Sequence, residues 1–238
     1  MNTEESPRVL PPWFRWTWRG RFLVFTLSAT SIWCLLAEIY GLCPMQTFTV
    51  AILLPATAGL IAVAVLDRVK GDGQLWRGVV IGAVAGFIAA CGYDLFRLPF
   101  VFSREWNLSH VVPPLNLFKV FPRFGAMILA EAVDQRGYSL AAHLIGWVYH
   151  FSNGITFGVM YIAMIGDARR RSWLWAVALA TGLEMAMLLT PYPQFFAIPL
   201  TALFVAVTFT AHLVFGLVLG IVTKWWAIRW SAVAPVSP

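Results

Sequence analysis

Three ionisable residues of this 238-residue chain, Asp94, His150 and His212, each stand one helical turn from a run of small residues. His150, Gly154 and Gly158 read H-x3-G-x3-G, as do His212, Gly216 and Gly220, while Gly78, Gly82, Gly86, Ala90 and Asp94 recur at strict four-residue steps. A four-residue step stays on roughly one face of a helix, and small residues at that step let helix backbones approach closely in lipid. Three such seams meeting at one place would gather a carboxylate and two imidazoles. That set is a plausible first shell for a divalent metal, with an open position at which a bound water is activated. The expected metal ligands are therefore Asp94, His150 and His212, with Glu38, His143, Asn153 and Glu184 as supporting or proton-titrating neighbours.

The spacing to flanking charges points the same way. Arg77 to Asp94, His150 to Asp167, His212 to Arg229 and Arg21 to Glu38 are each seventeen residues apart, about 25 Å of helix, which sets all four side chains at one level in the outer half of a bilayer. His143 and His150 lie about 10 Å apart along one helix axis and cannot both bind one small ion. The competing structural reading pairs Asp94 with Arg97 one turn away and gives each histidine an interhelical hydrogen bond. Ser152 reads as helix packing more readily than as a nucleophile, for which a base in reach is needed.

The elements that position these residues are membrane helices. Hydrophobic residues make up 60% of the chain and charged ones 12%, with a mean hydropathy of +0.75, against about 25% charged in soluble domains. Six stretches reach the roughly 20 residues that cross a bilayer: 22–42, 48–66, 78–98, 139–165, 173–190 and 197–223. Basic residues mark every second connection: Arg15, Arg19 and Arg21; Arg68, Lys70 and Arg77; Arg169, Arg170 and Arg171; Lys224 and Arg229. The positive-inside rule then puts both termini in the cytoplasm. The fold class is an all-α six-helix transmembrane bundle, a single membrane domain over 1–238, and the charge pattern is that of a bacterial cytoplasmic (inner) membrane protein. The first helix is expected to stay in the mature protein, since the run after Arg21 is too long for a signal-peptide core.

One long outer loop, 99–138, joins the third and fourth spans. Phe121, Phe124, Ile128 and Ala132 recur in it at helical spacing, which predicts a short interfacial helix on the outer leaflet. The tryptophans Trp13, Trp16 and Trp18, with Trp225, Trp226 and Trp230, fit a cytoplasmic aromatic belt.

The net charge of +6 sits in these topology-setting clusters, so no nucleic-acid partner is expected. The odd cysteine count excludes a disulfide scaffold. No nucleotide, protease or kinase motif occurs, nor the H-x3-H pair and seventh helix of seven-helix membrane metallohydrolases. The leading functional expectation is a membrane-embedded metalloenzyme acting on an apolar substrate. The alternatives are a small proton-coupled transporter, or an accessory subunit that binds another membrane protein through the outer loop.

Overall fold

The computed structural model describes residues 16–233 except 134 and 136, so Trp13, Arg15, Arg136 and both chain ends lie outside the described residues. Among the described residues the chain is all helix, without strands. Counting the continuous Met45–Lys70 rod as one, there are eight helices: α1 Trp18–Ile39, α2 Met45–Lys70, α3 Gln74–Val101, α4 Val120–Leu129, α5 Leu140–Ile165, α6 Leu174–Leu188, α7 Tyr192–Phe195 and α8 Ala202–Val233.

Local chemistry fixes the ends. The Thr17 hydroxyl accepts the Gly20 N–H at 3.1 Å to open α1, and the chain leaves α1 through Gly41 at φ +66°. Glu38 turns back to accept the Met45 N–H and so caps α2. Pro55 has no N–H to continue the helical ladder, and the backbone passes through a π turn over Thr49–Leu53 just before it. Ser139 caps α5 by accepting the Ala142 N–H at 3.0 Å. The last helix starts at Ala202 and not at 197: Pro199 interrupts the backbone, and Thr201 Oγ1 accepts the Phe204 N–H at 3.1 Å. Upstream of that break the chain closes the separate short helix α7.

Four of these helices, α1, α2, α3 and α8, are long and apolar enough to cross a membrane. The 26-residue α5 also has the length, and it carries the polar side chains His143, His150, Ser152 and Asn153. The 15-residue α6 spans about 22 Å, short of a 30 Å hydrocarbon core.

The small-residue strips act as anticipated for α3 and α5. A Cβ on Gly86 would lie 2.1 Å from the Gly154 carbonyl oxygen, one on Gly158 2.1 Å from that of Gly82, and one on Gly154 2.7 Å from Ala90 Cβ. Backbones therefore touch along this seam, and only glycine fits. The strip on α8 goes elsewhere. A Cβ on Gly216 would meet Val177 Cα at 2.5 Å, and one on Gly220 the Trp173 carbonyl at 2.5 Å, so this seam closes on α6. The helix expected to lie on the outer leaflet does form, as α4, but seven of its ten residues are buried. It is pressed onto α5: a Cβ on Gly125 would lie 1.8 Å from the Ala142 carbonyl, and one on Gly146 1.8 Å from that of Phe121. Ala132 falls beyond its end.

Candidate functional site

Asp94 lies about two turns along α3 from Gly86 and one turn from Ala90, and its carboxylate is held from two sides. Oδ1 accepts from Arg97 Nη2 at 2.7 Å, and Oδ2 lies 2.9 Å from His150 Nε2 on α5. A carboxylate salt-bridged to a guanidinium only accepts, so Nε2 of His150 carries a proton and donates it to Asp94. Arg97 is 4% exposed. Its guanidinium lies over the rings of Tyr93, Phe118 and Phe121, at 4.1, 4.8 and 5.3 Å, and Nη1 donates to Tyr93 Oη at 3.2 Å. Such stacking suits the weakly hydrated, planar guanidinium where an ammonium would be poorly satisfied. The Phe121 ring of α4 stacks on the His150 imidazole at 4.2 Å. The tight α4–α5 seam thus sets the orientation of His150 from the other side.

His212 on α8 is placed differently. Its Nδ1 lies 2.9 Å from the Thr208 carbonyl, which can only accept, so Nδ1 carries a proton. Its Nε2 then faces Glu184 Oε2 on α6 at 3.5 Å. The α8 glycine strip explains the partner: Gly216 and Gly220 seat on α6, and the histidine one turn further along the same face meets Glu184. The expected shared shell of Asp94, His150 and His212 is therefore divided into two carboxylate–imidazole pairs. Among the described residues no three His, Cys, Asp or Glu side chains are grouped to hold a metal ion. Arg97 occupies the position on Asp94 that a cation would take.

One cavity of about 200 Å³ is lined by His150 from the first pair and by both Glu184 and His212 from the second. Arg97, His150, Asn153, Glu184, Tyr192 and His212 contribute polar atoms to its wall, and apolar side chains such as Leu35, Phe124, Phe157 and Phe215 supply most of the rest. The Tyr93 ring stands between the imidazoles, 4.8 Å from that of His212 and 6.1 Å from that of His150. Asn153 Oδ1 is buried without a hydrogen-bond partner among the described residues.

Three other sequence candidates lie apart from this chamber. Glu38 is spent on the cap of α2. His143 is exposed near the start of α5, with the Tyr138 ring 6.3 Å away. Ser152 donates to the Tyr149 carbonyl of its own helix at 2.8 Å. Conversely, Tyr93 and Tyr192 belong to the site but carry no spacing signal, and the helical spacing of Phe121 predicted its helix but not its contact with His150. Arg97 was visible as a partner one turn from Asp94.

No curated protein and no solved structure matches the chain. A family model matches residues 107–232, which include Phe121, His150, Glu184, Tyr192 and His212. With more than half of its length covered by that match, the chain belongs to the family of unknown function DUF6789.

Proposed function

We propose that this is a six-span protein of the bacterial cytoplasmic membrane whose central chamber binds a small, mostly apolar molecule and moves a proton on it. The observation that carries the reading is the opposite use of the two imidazoles. His150 commits Nε2–H to Asp94 and keeps Nδ1 as an acceptor, whereas His212 commits Nδ1–H to Thr208 and turns Nε2 to a carboxylate. A lone pair facing a carboxylate oxygen is repulsive, so the His212–Glu184 contact is favourable when it holds one proton between them. One side of the chamber thus offers a proton and the other can take one, the division of labour that general acid–base chemistry needs. Asp94, itself held by Arg97, is a positioning residue that acts through His150. The apolar wall supports a lipid-soluble ligand, and intramembrane ionisable groups that face a cavity are the usual marks of a binding or proton path.

Six spans follow if α5 and α6 cross along with the four longer helices. The seams tying α5 to α3 and α6 to α8 support that arrangement. The test of function is ligand retention. Native mass spectrometry of the detergent-purified protein should show a co-purifying small molecule that is lost from His150→Ala and His212→Ala and kept by His143→Ala. Equal retention by all three variants would remove the chamber from consideration.

A further inference from the structure

A second cavity, of about 380 Å³, adjoins the first, and five residues line both: Tyr93, Arg97, Val120, Glu184 and Tyr192. Its remaining wall comes from Leu115, Asn116, Leu117 and Lys119, from Leu188 of α6, and from the stretch that runs into α8, with Ile198, Leu203 and Phe204 as its apolar part. Asn116, Thr201 and Leu203 on this wall are exposed, Leu203 at 40%, and mark its mouth. Alone, the 200 Å³ chamber is below the roughly 300–1,000 Å³ of small-molecule sites, and the adjoining space brings it into that range. Both cavities are mainly apolar, and their common boundary is polar. That pattern fits a ligand with a polar head and an apolar chain.

The charge of the head follows from the walls. The charged residues lining the second cavity are Arg97, Lys119 and Glu184, two cations against one anion, and Asp94, which balances Arg97 from behind, lines neither cavity. Glu184 is already turned to His212. Arg97 is 4% exposed, and its Nε is buried without a hydrogen-bond partner among the described residues, which leaves one donor of a bidentate fork unused. Lys119 Nζ donates to a neutral group, the Ala197 carbonyl, at 3.1 Å. Burial, followed by the neighbouring Arg123 charge, holds its amine below the usual lysine range, and no carboxylate is hydrogen-bonded to it among the described residues.

Resting on the reading of the chamber as a ligand site, we infer that the ligand is a single-chain amphiphile with a carboxylate head, which enters between Leu115–Lys119 and the start of α8 and is met by Lys119 and then by Arg97. Oleate and oleyl alcohol share one chain and differ in the head, so competition binding of the two below their aggregation concentrations, to the full chain in nanodiscs, isolates the charge.

Oleate is expected to bind about tenfold or more tighter than the alcohol, the scale of a charge-assisted hydrogen bond. Lys119→Met should remove most of that preference, and Lys119→Arg should keep it. If the two ligands bind alike, or Lys119→Met weakens both equally, the acid head is wrong and the chamber reading stands. If neither binds wild type, both fall.

Discussion

His212 Nε2 faces Glu184 Oε2 at 3.5 Å while its Nδ1 is committed to the Thr208 carbonyl at 2.9 Å. An imidazole whose one N–H is already donated can approach a carboxyl group favourably only with a further proton on the pair. Substituting Glu184→Gln should therefore abolish an infrared carboxylic-acid C=O band, or else an imidazolium signature in the NMR spectrum of ring-labelled histidine. The fold should be retained, because an amide of the same shape can donate to Nε2. A wild-type protein with neither signature near neutral pH would show that the pair holds no proton, and the acid role would be lost with it.

Asp94 balances Arg97 inside the bundle, so the two should behave as a unit. Asp94→Ala leaves a guanidinium that is 4% exposed without its anion and should cost about 3–5 kcal/mol. Adding Arg97→Leu to the same chain should recover most of that loss, since replacing both charges by apolar groups is often close to neutral. Thermal unfolding in one detergent reads both. If Asp94→Ala melts no lower than His143→Ala, the buried triad contributes nothing to stability.

Much of this arrangement could be read from the residues, and the part that could not has an identifiable cause. Glycine spacing identified the α3–α5 seam because backbone contact demands glycine on both sides, as at Gly86 and Gly154. The same spacing on α8 said that it packs closely but not on which helix; the partner is α6, and His212 consequently meets Glu184. Depth counting aligned Asp94 with Glu38 but is blind to rotation about the helix axis, and Glu38 points to the Met45 N–H. The burial of α4 was hidden because Gly125 stands alone, and because Gly146, although in the same four-residue register as His150, Gly154 and Gly158, meets the Phe121 carbonyl of α4 while Gly154 and Gly158 meet α3. Phe121 reaches His150 only through that contact.

The seam itself gives a graded packing experiment. Gly86→Ala would put a Cβ 2.1 Å from a backbone carbonyl of α5, which cannot rotate away, so folded yield should collapse. Gly182 on α6 has nothing within 4 Å of an added Cβ, and Gly182→Ala should be tolerated or gain up to about 1 kcal/mol from helix propensity. Size-exclusion profiles of the two variants should differ accordingly. Equal profiles would mean that α3 and α5 are not in backbone contact.

The connection after α5 carries a pH signature. Asp167 accepts from the Arg169 backbone N–H at 3.1 Å and from Arg169 Nε and Nη2 at 2.9 and 2.8 Å. Burial alone would raise its pKa. The Arg169 hydrogen bonds and charge, with Arg170, outweigh that and hold it below the ordinary 3.8. A depressed carboxyl stabilises the folded chain above the unfolded pKa and loses that contribution as pH falls through the folded one. Asp167→Asn should thus melt below wild type at neutral pH, and the gap should close as pH drops below 3.8. A gap that is constant down to the acid limit would show that the Asp167 charge is not what matters there.

Asp167 is also the position that decides the topology. With six spans the chain crosses six times, and the connection bearing Asp167 and Arg169, Arg170 and Arg171 is cytoplasmic. If only α1, α2, α3 and α8 cross, α5 and α6 remain on the outer side as a re-entrant pair, and the same connection is external. Both arrangements put Gly71 inside and Pro44, Asn107 and Pro191 outside, so reporters at those four sites control the experiment without choosing between the two. Three consecutive arginines favour the cytoplasmic side. The 15-residue α6, by contrast, needs local thinning of the bilayer, or flanking residues such as Trp173 and Thr190 at the interfaces, to cross. A reporter fused at Asp167 is expected to read cytoplasmic. An external reading there, with the other four as stated, would leave the fold intact, reduce the spans to four, and move the His150 and Glu184 chamber from the bundle centre toward the outer face.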